Sequence, residues 1–319
     1  MGIEAPAEVK FRLIEEALCQ DDNLLSITLM CQIAGVSRSG FYAWKNSADK
    51  RRERDDQDAR DFELILEAYR FRGYAKGARG IHMRLLHMGI RMNVKKIRRL
   101  MKKYGLMCPI RKANPYRRQA AAMKTSHVAP NVVNRDFFSQ GIRKILLTDI
   151  TYLFYIEGKC YLSTILDAKT REILAYQLSI SLEVTFVLET VDELKREHGS
   201  ELDDEVIVHS DQGCHYTSNA FIKKLKDAEF VQSMSRRGNC WDNSPQESFF
   251  GHMKDEIKEK VAACSSFEEV KDQVDDWIDY YNNDRYHWDL LKLSPAEYCR
   301  YLMTGVYPLQ KYEGPGKEE

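Results

Sequence analysis

The chain has 319 residues, 44% of them hydrophobic, and its 48 basic and 48 acidic side chains cancel to a formal net charge of zero. That length fits roughly two or three domains with apolar material for real cores, and no run approaches the about 18 apolar residues of a membrane span. The N-terminus MGIEAPAEVKFRL lacks the apolar stretch of a signal peptide, and Pro6 stands where a myristoylation signal needs Ser or Thr. Eight cysteines without a C-x-x-C pair read as reduced thiols of a cytoplasmic protein rather than as zinc ligands.

The zero net charge hides a strong division. Residues 1–70 carry 10 basic and 14 acidic side chains, residues 71–135 carry 17 basic and no acidic ones, and residues 136–319 carry 21 basic and 34 acidic. A 65-residue block without one Asp or Glu is not an ordinary solvated surface. It predicts a polyanionic partner, most simply DNA, with neutralisation of the acidic C-terminal part as the alternative.

In chain order, SITLMCQIAGVSRSGFYAWK (26–45) predicts a helix with Ile27, Met30 and Ile33 as its apolar residues. A turn at Ala34-Gly35-Val36 follows, and Ser37 caps a second helix carrying Phe41, Tyr42 and Trp44, which gives a helix-turn-helix pattern. SADKRRERDDQDARD (47–61) holds no large apolar residue and reads as a solvated helix or connector. A second, basic helix pair comes next. GARGIHMRLLHMGI places Ile81, Leu85 and Met88 on one face and stops at Gly89; Asn93 then caps VKKIRRLMKKYGL, with Val94, Ile97, Leu100 and Met101 as the stripe. The positions between are Lys95, Lys96, Arg98, Arg99, Lys102 and Lys103, a set suited to lying against phosphates. Arg79, at the start of the pair, is a further candidate DNA contact. CPIRKANPYRRQAAAMKTSHVAPNVVNRDF (108–137) has three prolines and no period, and reads as an extended basic linker.

Beyond the linker the chain turns β-rich. KILLTDITYLFY and GKCYLSTILDA are two strands separated by a turn at Glu157-Gly158, and REILAYQLS is a third after Lys169-Thr170. Helix EVTFVLETVDELKREHG, strand VIVHS, helix TSNAFIKKLKDAEF, strand VQSMS and a long helix over about 242–260 follow. A three-strand meander and then alternating helices and strands give a mixed five-stranded α/β sheet with flanking helices, the order of a ribonuclease H-like domain. The predicted segments are 1–60 and 61–107 (all-α, helix-turn-helix), 108–138 (linker), 139–262 (α/β core) and 263–319 (helical extension).

Three acids stand out by context. Asp149 lies within an apolar strand, where a carboxylate is expensive unless something positive satisfies it. Asp211 ends the strand VIVHS, with Gly213 letting the backbone turn away. Glu247 sits in SPQESFF, where Pro245 marks the first turn of a helix. Singly, each is an ordinary strand-end, turn or helix-start residue. On a first strand, its neighbour and an adjacent helix, they converge on one point that suits two divalent cations. Asp167 in TILDAKTRE reads as a structural turn former. Lys254 follows Glu247 by two helical turns on the same face. Arg236 and Arg237 are candidate phosphate clamps, and Tyr280, Tyr281, Arg285, His287 and Trp288 read as a cap on the core.

TDITY, HSDQGCHYTS, SMSRRGNCWDNSPQESFFGHMK and YYNNDRYHWDLLKLSPAEY together resemble the integrase core of bacterial insertion-sequence transposases of the IS-three family, relatives of retroviral integrases. The resemblance covers nearly the whole chain. It implies that Asp149, Asp211 and Glu247 are the catalytic, metal-binding acids. It implies two Mg²⁺ ions per site, replaceable by Mn²⁺, and cleavage and joining of phosphodiesters. It further implies action as a homo-oligomer on terminal inverted repeats and target DNA, and a relation to an upstream-frame product. The alternatives are a metal-dependent nuclease that does not join, and a non-catalytic DNA-binding regulator with an integrase-like core.

Overall fold

The computed structural model describes residues 5–20, 23–108, 128–134, 136–137, 140–202, 205–236 and 243–309. They form two compact units, divided between Leu66 and Glu67. Most of the predicted linker lies outside the described residues, as does Arg237.

The first unit holds α1 (Ala7–Leu18), α2 (Ile27–Ala34), α3 (Arg38–Asn46) and most of α4 (Ala48–Arg70). Its core joins Phe11 and Ile14 of α1 to Met30 and Cys31 of α2 and Phe41 of α3. The turn between α2 and α3 is built as its residues require. Gly35 takes a left-handed conformation (φ 64°), and the Ser37 hydroxyl accepts from Gly40 N–H at 3.0 Å. Ile33 departs from expectation and is 71% exposed, because the short α2 packs through the adjacent Met30 and Cys31 instead. The charge run of 47–61 is helical within α4.

The second unit begins with α5 (Ala78–His87) and α6 (Val94–Lys103), each ended by a glycine with positive φ, Gly89 and Gly105. Ile81 and Leu85 of α5 and Ile97, Leu100 and Met101 of α6 are buried, as the spacing predicts. The sheet follows, as β1 (Ile145–Tyr155), β2 (Gly158–Asp167), β3 (Ile173–Ser179), β4 (Ile207–Ser210) and β5 (Val231–Met234). Its order is β3-β2-β1-β4-β5, with β1, β2 and β3 antiparallel and β1, β4 and β5 parallel. This is the ribonuclease H-like arrangement predicted.

Strand alternation gives the sheet two cores. Ile145, Leu147 and Leu153 of β1 face one that contains Phe249 and Met253 of α9 (Ser244–Ala262) and Trp277 and Tyr281 of α10 (Phe267–Asn283). Leu146 faces the other, with Phe186 and Val191 of α7 (Val184–His198) and Phe221 and Leu225 of α8 (Asn219–Asp227). The β1–β2 turn differs by one residue from expectation: Ile156 and Glu157 form it, and Gly158 already pairs with Tyr155. That shift places Thr164, not Leu166, opposite Asp149. The helical extension, α10 and α11 (Pro295–Thr304), closes the far side. There Glu256 of α9 accepts from Arg285 at 2.9 Å and from the Trp277 indole at 3.0 Å, and Tyr280, Tyr281 and His287 are enclosed while Trp288 stays 44% exposed.

Candidate active site

β1 runs well past β4. The parallel pairing ends at Leu147 with His209, so Asp149 stands just beyond the last paired residue of its neighbour. Continuing that register by two residues sets Asp211 level with Asp149, on adjacent strands about 4.8 Å apart. The Asp149 carboxylate accepts from Ile150 N–H at 2.8 Å. Burial, above all, and then the nearby Asp211 and Glu247 push its pKa up to about 8; the Ile150 N–H and Lys254 act in the opposite direction.

Asp211 is positioned by its own turn. As a whole it is exposed at the strand tip, yet burial of its carboxyl raises the pKa while Gly213 N–H and His215 oppose the rise. The Gly213 N–H donates to Oδ1 at 2.8 Å, and a Cβ on Gly213 would lie 2.9 Å from the same oxygen. Glycine is therefore needed for close approach to the carboxylate; turning the backbone away, the role read from sequence, does not require it. His209, next to the tip, is fully buried between the hydroxyls of Ser233 (2.9 Å) and Ser235 (3.1 Å), where it ties β4 to β5.

α9 brings the third acid. Pro245 lies in its first turn, and Glu247 follows with its residue half-buried. The preceding Gln246 is fully buried and donates from Nε2 to Thr164 Oγ1, the residue paired with Asp149 across β1 and β2. The helix start is thereby tied to the sheet at the level of Asp149. Nothing in the sequence singles out this contact. Asn243, one turn before Glu247, is 4% exposed, and both ends of its amide lack a hydrogen-bond partner among the described residues. Lys254, two turns after Glu247, holds its ammonium 4.5 Å from the centre of the Tyr152 ring. Burial lowers its pKa and the charge of Asp149 opposes this. Tyr216, unmarked in the sequence, is buried with its hydroxyl 3.5 Å from Thr148 Oγ1, its pKa raised by burial and then by Asp149 and Asp211.

Among the described residues no group of three or more His, Cys, Asp or Glu side chains is assembled to hold a metal ion. The donor chemistry nevertheless fits a hard divalent cation. Burial and the charges of Asp211 and Glu247 raise the proton affinity of Asp149, and Lys254 opposes them. Asp167, by contrast, is consumed by structure: its oxygens accept from the backbone of Arg143, Lys169 and Thr170 and from the Thr170 hydroxyl at 2.7 Å.

The basic segment divides. Arg72 pairs with Asp279 of α10 and lies 3.6 Å from Asp276 and Asp284. Lys76 is buried and donates to the carbonyl of Tyr74 at 2.9 Å, and Arg84 donates to the Tyr286 hydroxyl at 3.2 Å. Arg72 and Arg84 thus contact the C-terminal part, and in Arg72 the contact neutralises its acids. Lys95, Arg98 and Arg99 of α6 are exposed and Lys96 is half-buried. Arg79 is exposed and lies over the Trp288 ring at 5.4 Å, and Arg236 is exposed just before the residues left undescribed.

Models of known families match three stretches: an integrase core domain over 142–240, a second integrase core domain over 247–301, and an HTH-like domain over 56–114. The chain is 31% identical over 269 residues to a putative transposase InsK for insertion sequence element IS150 of Escherichia coli, covering 84% of this chain and 92% of that one. It is 35% identical over 212 residues to a transposase-like protein of Haemophilus influenzae, 66% of this chain and 94% of that one. It is 29% identical over 234 residues to the transposase InsF for insertion sequence IS3A of Escherichia coli, 72% of this chain and 78% of that one. Among solved structures, a simian T-cell lymphotropic virus intasome superposes with a TM-score of 0.43 at 12% identity, over 70% of this chain and 74% of that one.

Proposed function

The chain belongs to the insertion-sequence transposases with an integrase core, those of IS3 among them, and from that membership we propose that it cleaves the ends of its element and joins their 3′-hydroxyls to target DNA, with Asp149, Asp211 and Glu247 as the catalytic acids. One observation carries the reading: the Asp149 carboxyl is raised to about 8 by burial together with Asp211 and Glu247, so acids from the tip of β4 and from α9 both bear on the one in β1. A carboxyl so raised, in a family of DNA-processing proteins, supports a reaction centre at this point.

Asp149, Asp211 and Glu247 would hold two Mg²⁺ ions, with Mn²⁺ as a substitute. When bound, these supply Lewis-acid activation of the attacking oxygen and stabilisation of the leaving one. The protein's own groups do the positioning. Gly213 N–H orients Asp211, Ile150 N–H orients Asp149, and the Gln246–Thr164 contact fixes the start of the helix that carries Glu247. Lys254 stands beside Asp149 to hold a phosphate of the DNA end, and the α6 cations bind more distant backbone. Arg236, Arg237 and Arg79 extend that contact. The substrate is DNA of the terminal inverted repeats and the target, engaged by a homo-oligomer.

The test is Glu247→Gln, which keeps shape and removes one charge and one metal ligand. Cleavage and joining should both fall to background in Mg²⁺ while DNA binding and thermal stability persist. Nicking of element ends at the wild-type rate would overturn the assignment. Retained nicking without joining in the unaltered protein would favour the nuclease instead.

A further inference from the structure

The exposed rings of the β1–β2 hairpin are not used by the reading above. Tyr152 and Phe154 lie two residues apart, hence on one face of the strand, and are 52% and 62% exposed. Their ring centres are 5.3 Å apart at 73°. Across the hairpin Tyr152 pairs with Tyr161 and Phe154 with Lys159. The ammonium of Lys159 is 5.5 Å from the Tyr161 ring and that of Lys254 is 4.5 Å from the Tyr152 ring. Three rings are thus edged by two cations, and the one acid in this stretch of the hairpin is Glu157 at its tip.

We propose that this ridge is a stacking platform for unpaired bases at the DNA end held by the acids. The inference rests on the function proposed above and adds what the site does with the end of the duplex. Tyr152 follows Asp149 by three strand residues, about 10 Å along β1 and, by alternation, on the other face of the strand, the face of Tyr161. Lys254 links the two faces at this edge, its ammonium 4.5 Å from the Tyr152 ring and its charge acting on Asp149. At about 3.4 Å per stacked nucleotide, a strand passing over that edge from a phosphate at Asp149 reaches the rings in some three nucleotides. Exposed aromatic faces bordered by lysines are the chemistry that receives bases while phosphates pass alongside. A duplex keeps its bases inside and presents none to a ring, so the ridge recognises strands that have opened. A second copy of the chain would cover apolar area equally well, but it gives no reason for lysines over the rings beside an acidic centre.

The test uses the full protein and a duplex of the element end, with 2-aminopurine placed singly at the positions nearest the cleaved bond. On binding without divalent ions, one position should be quenched by the wild type, quenched by Tyr152→Phe and restored by Tyr152→Ala. Affinity for an end with unpaired bases should fall about 10-fold in the alanine protein while affinity for fully paired internal DNA is unchanged. Tyr152 is exposed, so folding should be little affected. Equal quenching by the alanine and wild-type proteins would overturn the proposal. So would a wild-type dimer that Phe154→Asp converts to monomer with quenching intact, because the ridge would then belong to a second copy. Wild-type cleavage in Mg²⁺ is measured alongside. If cleavage occurs but the ring has no effect, the platform fails and the transposase reading stands; if quenching depends on the ring but nothing is cleaved, the catalytic reading fails alone.

Discussion

Gly213 occupies a place where a methyl group would meet a carboxylate. Its N–H donates to Asp211 at 2.8 Å, and a Cβ would fall 2.9 Å from that same Oδ1 and 3.7 Å from Cγ. Since the obstructed atom ends a movable side chain, the fold can accommodate alanine by swinging the carboxylate aside. The expected cost of Gly213→Ala is therefore within about 1 kcal/mol of stability. The expected loss of cleavage is larger, about 10- to 100-fold, because an ångström of misplacement is felt directly in the reaction. Melting curves and end-cleavage rates on the same preparation separate the two. Wild-type cleavage by the alanine protein would show that the position of Asp211 is not critical. At this scale the sequence marked the acids but not the residues that aim them. Asp149 and Asp211 announce themselves by standing in or at the end of apolar strands. Gln246 and Thr164 are ordinary polar residues until the register of the hairpin joins them.

Elements were legible where the signal was local. Caps at Ser37 and Asn93, glycines at 35, 89 and 105, and the periodic apolar residues of α5 and α6 all do in the structure what short-range chemistry requires. Register was not legible: moving the turn from Glu157-Gly158 to Ile156-Glu157 moves the partner of Asp149 by two residues, and Gly158 favours neither choice by itself. The use of the basic block was hidden for another reason. The acids that meet Arg72 lie some two hundred residues further on, in α10, and only packing brings them there. The cations of α6 are a different case, since its apolar stripe faces inward and Lys95, Arg98 and Arg99 face out. Changing Lys95, Lys96, Arg98 and Arg99 together to alanine should flatten the dependence of log affinity on log salt by up to about 3 to 4. The buried stripe is untouched and alanine favours helix, so α6 should still form. Binding measured across a salt series decides; an unchanged slope would show that α6 does not touch phosphate.

Across the whole molecule, the second unit is built around a sheet covered on both faces, and the carboxyl of Asp149 is enclosed at one end of it, with Asp211 at the exposed tip of the neighbouring strand. A fold gains nothing by enclosing a carboxylate beside two others, so the site weakens the molecule that carries it. Asp149 makes the cost measurable. Its pKa is about 8 when folded and 3.8 as an ordinary carboxyl, so the folded state binds the extra proton between those values. The stability owed to that proton is fully present below the ordinary value and is lost as pH rises through about 8. Asp149→Asn holds a neutral side chain of similar shape at every pH. In EDTA, the asparagine protein should match the wild type near pH 4 and become progressively more stable than it up to about pH 8, by a few kcal/mol at most. The comparison between the two proteins cancels groups that titrate alike in both. Magnesium should then reverse the order by stabilising the aspartate protein alone, since a ligand that binds only the folded state raises its melting point. Melting temperatures over pH 4 to 9, with and without the ion, are the measurement. A difference between the proteins that stays flat across that range would mean that Asp149 is already ionised and well solvated in the fold, and that the three acids do not share one enclosed centre.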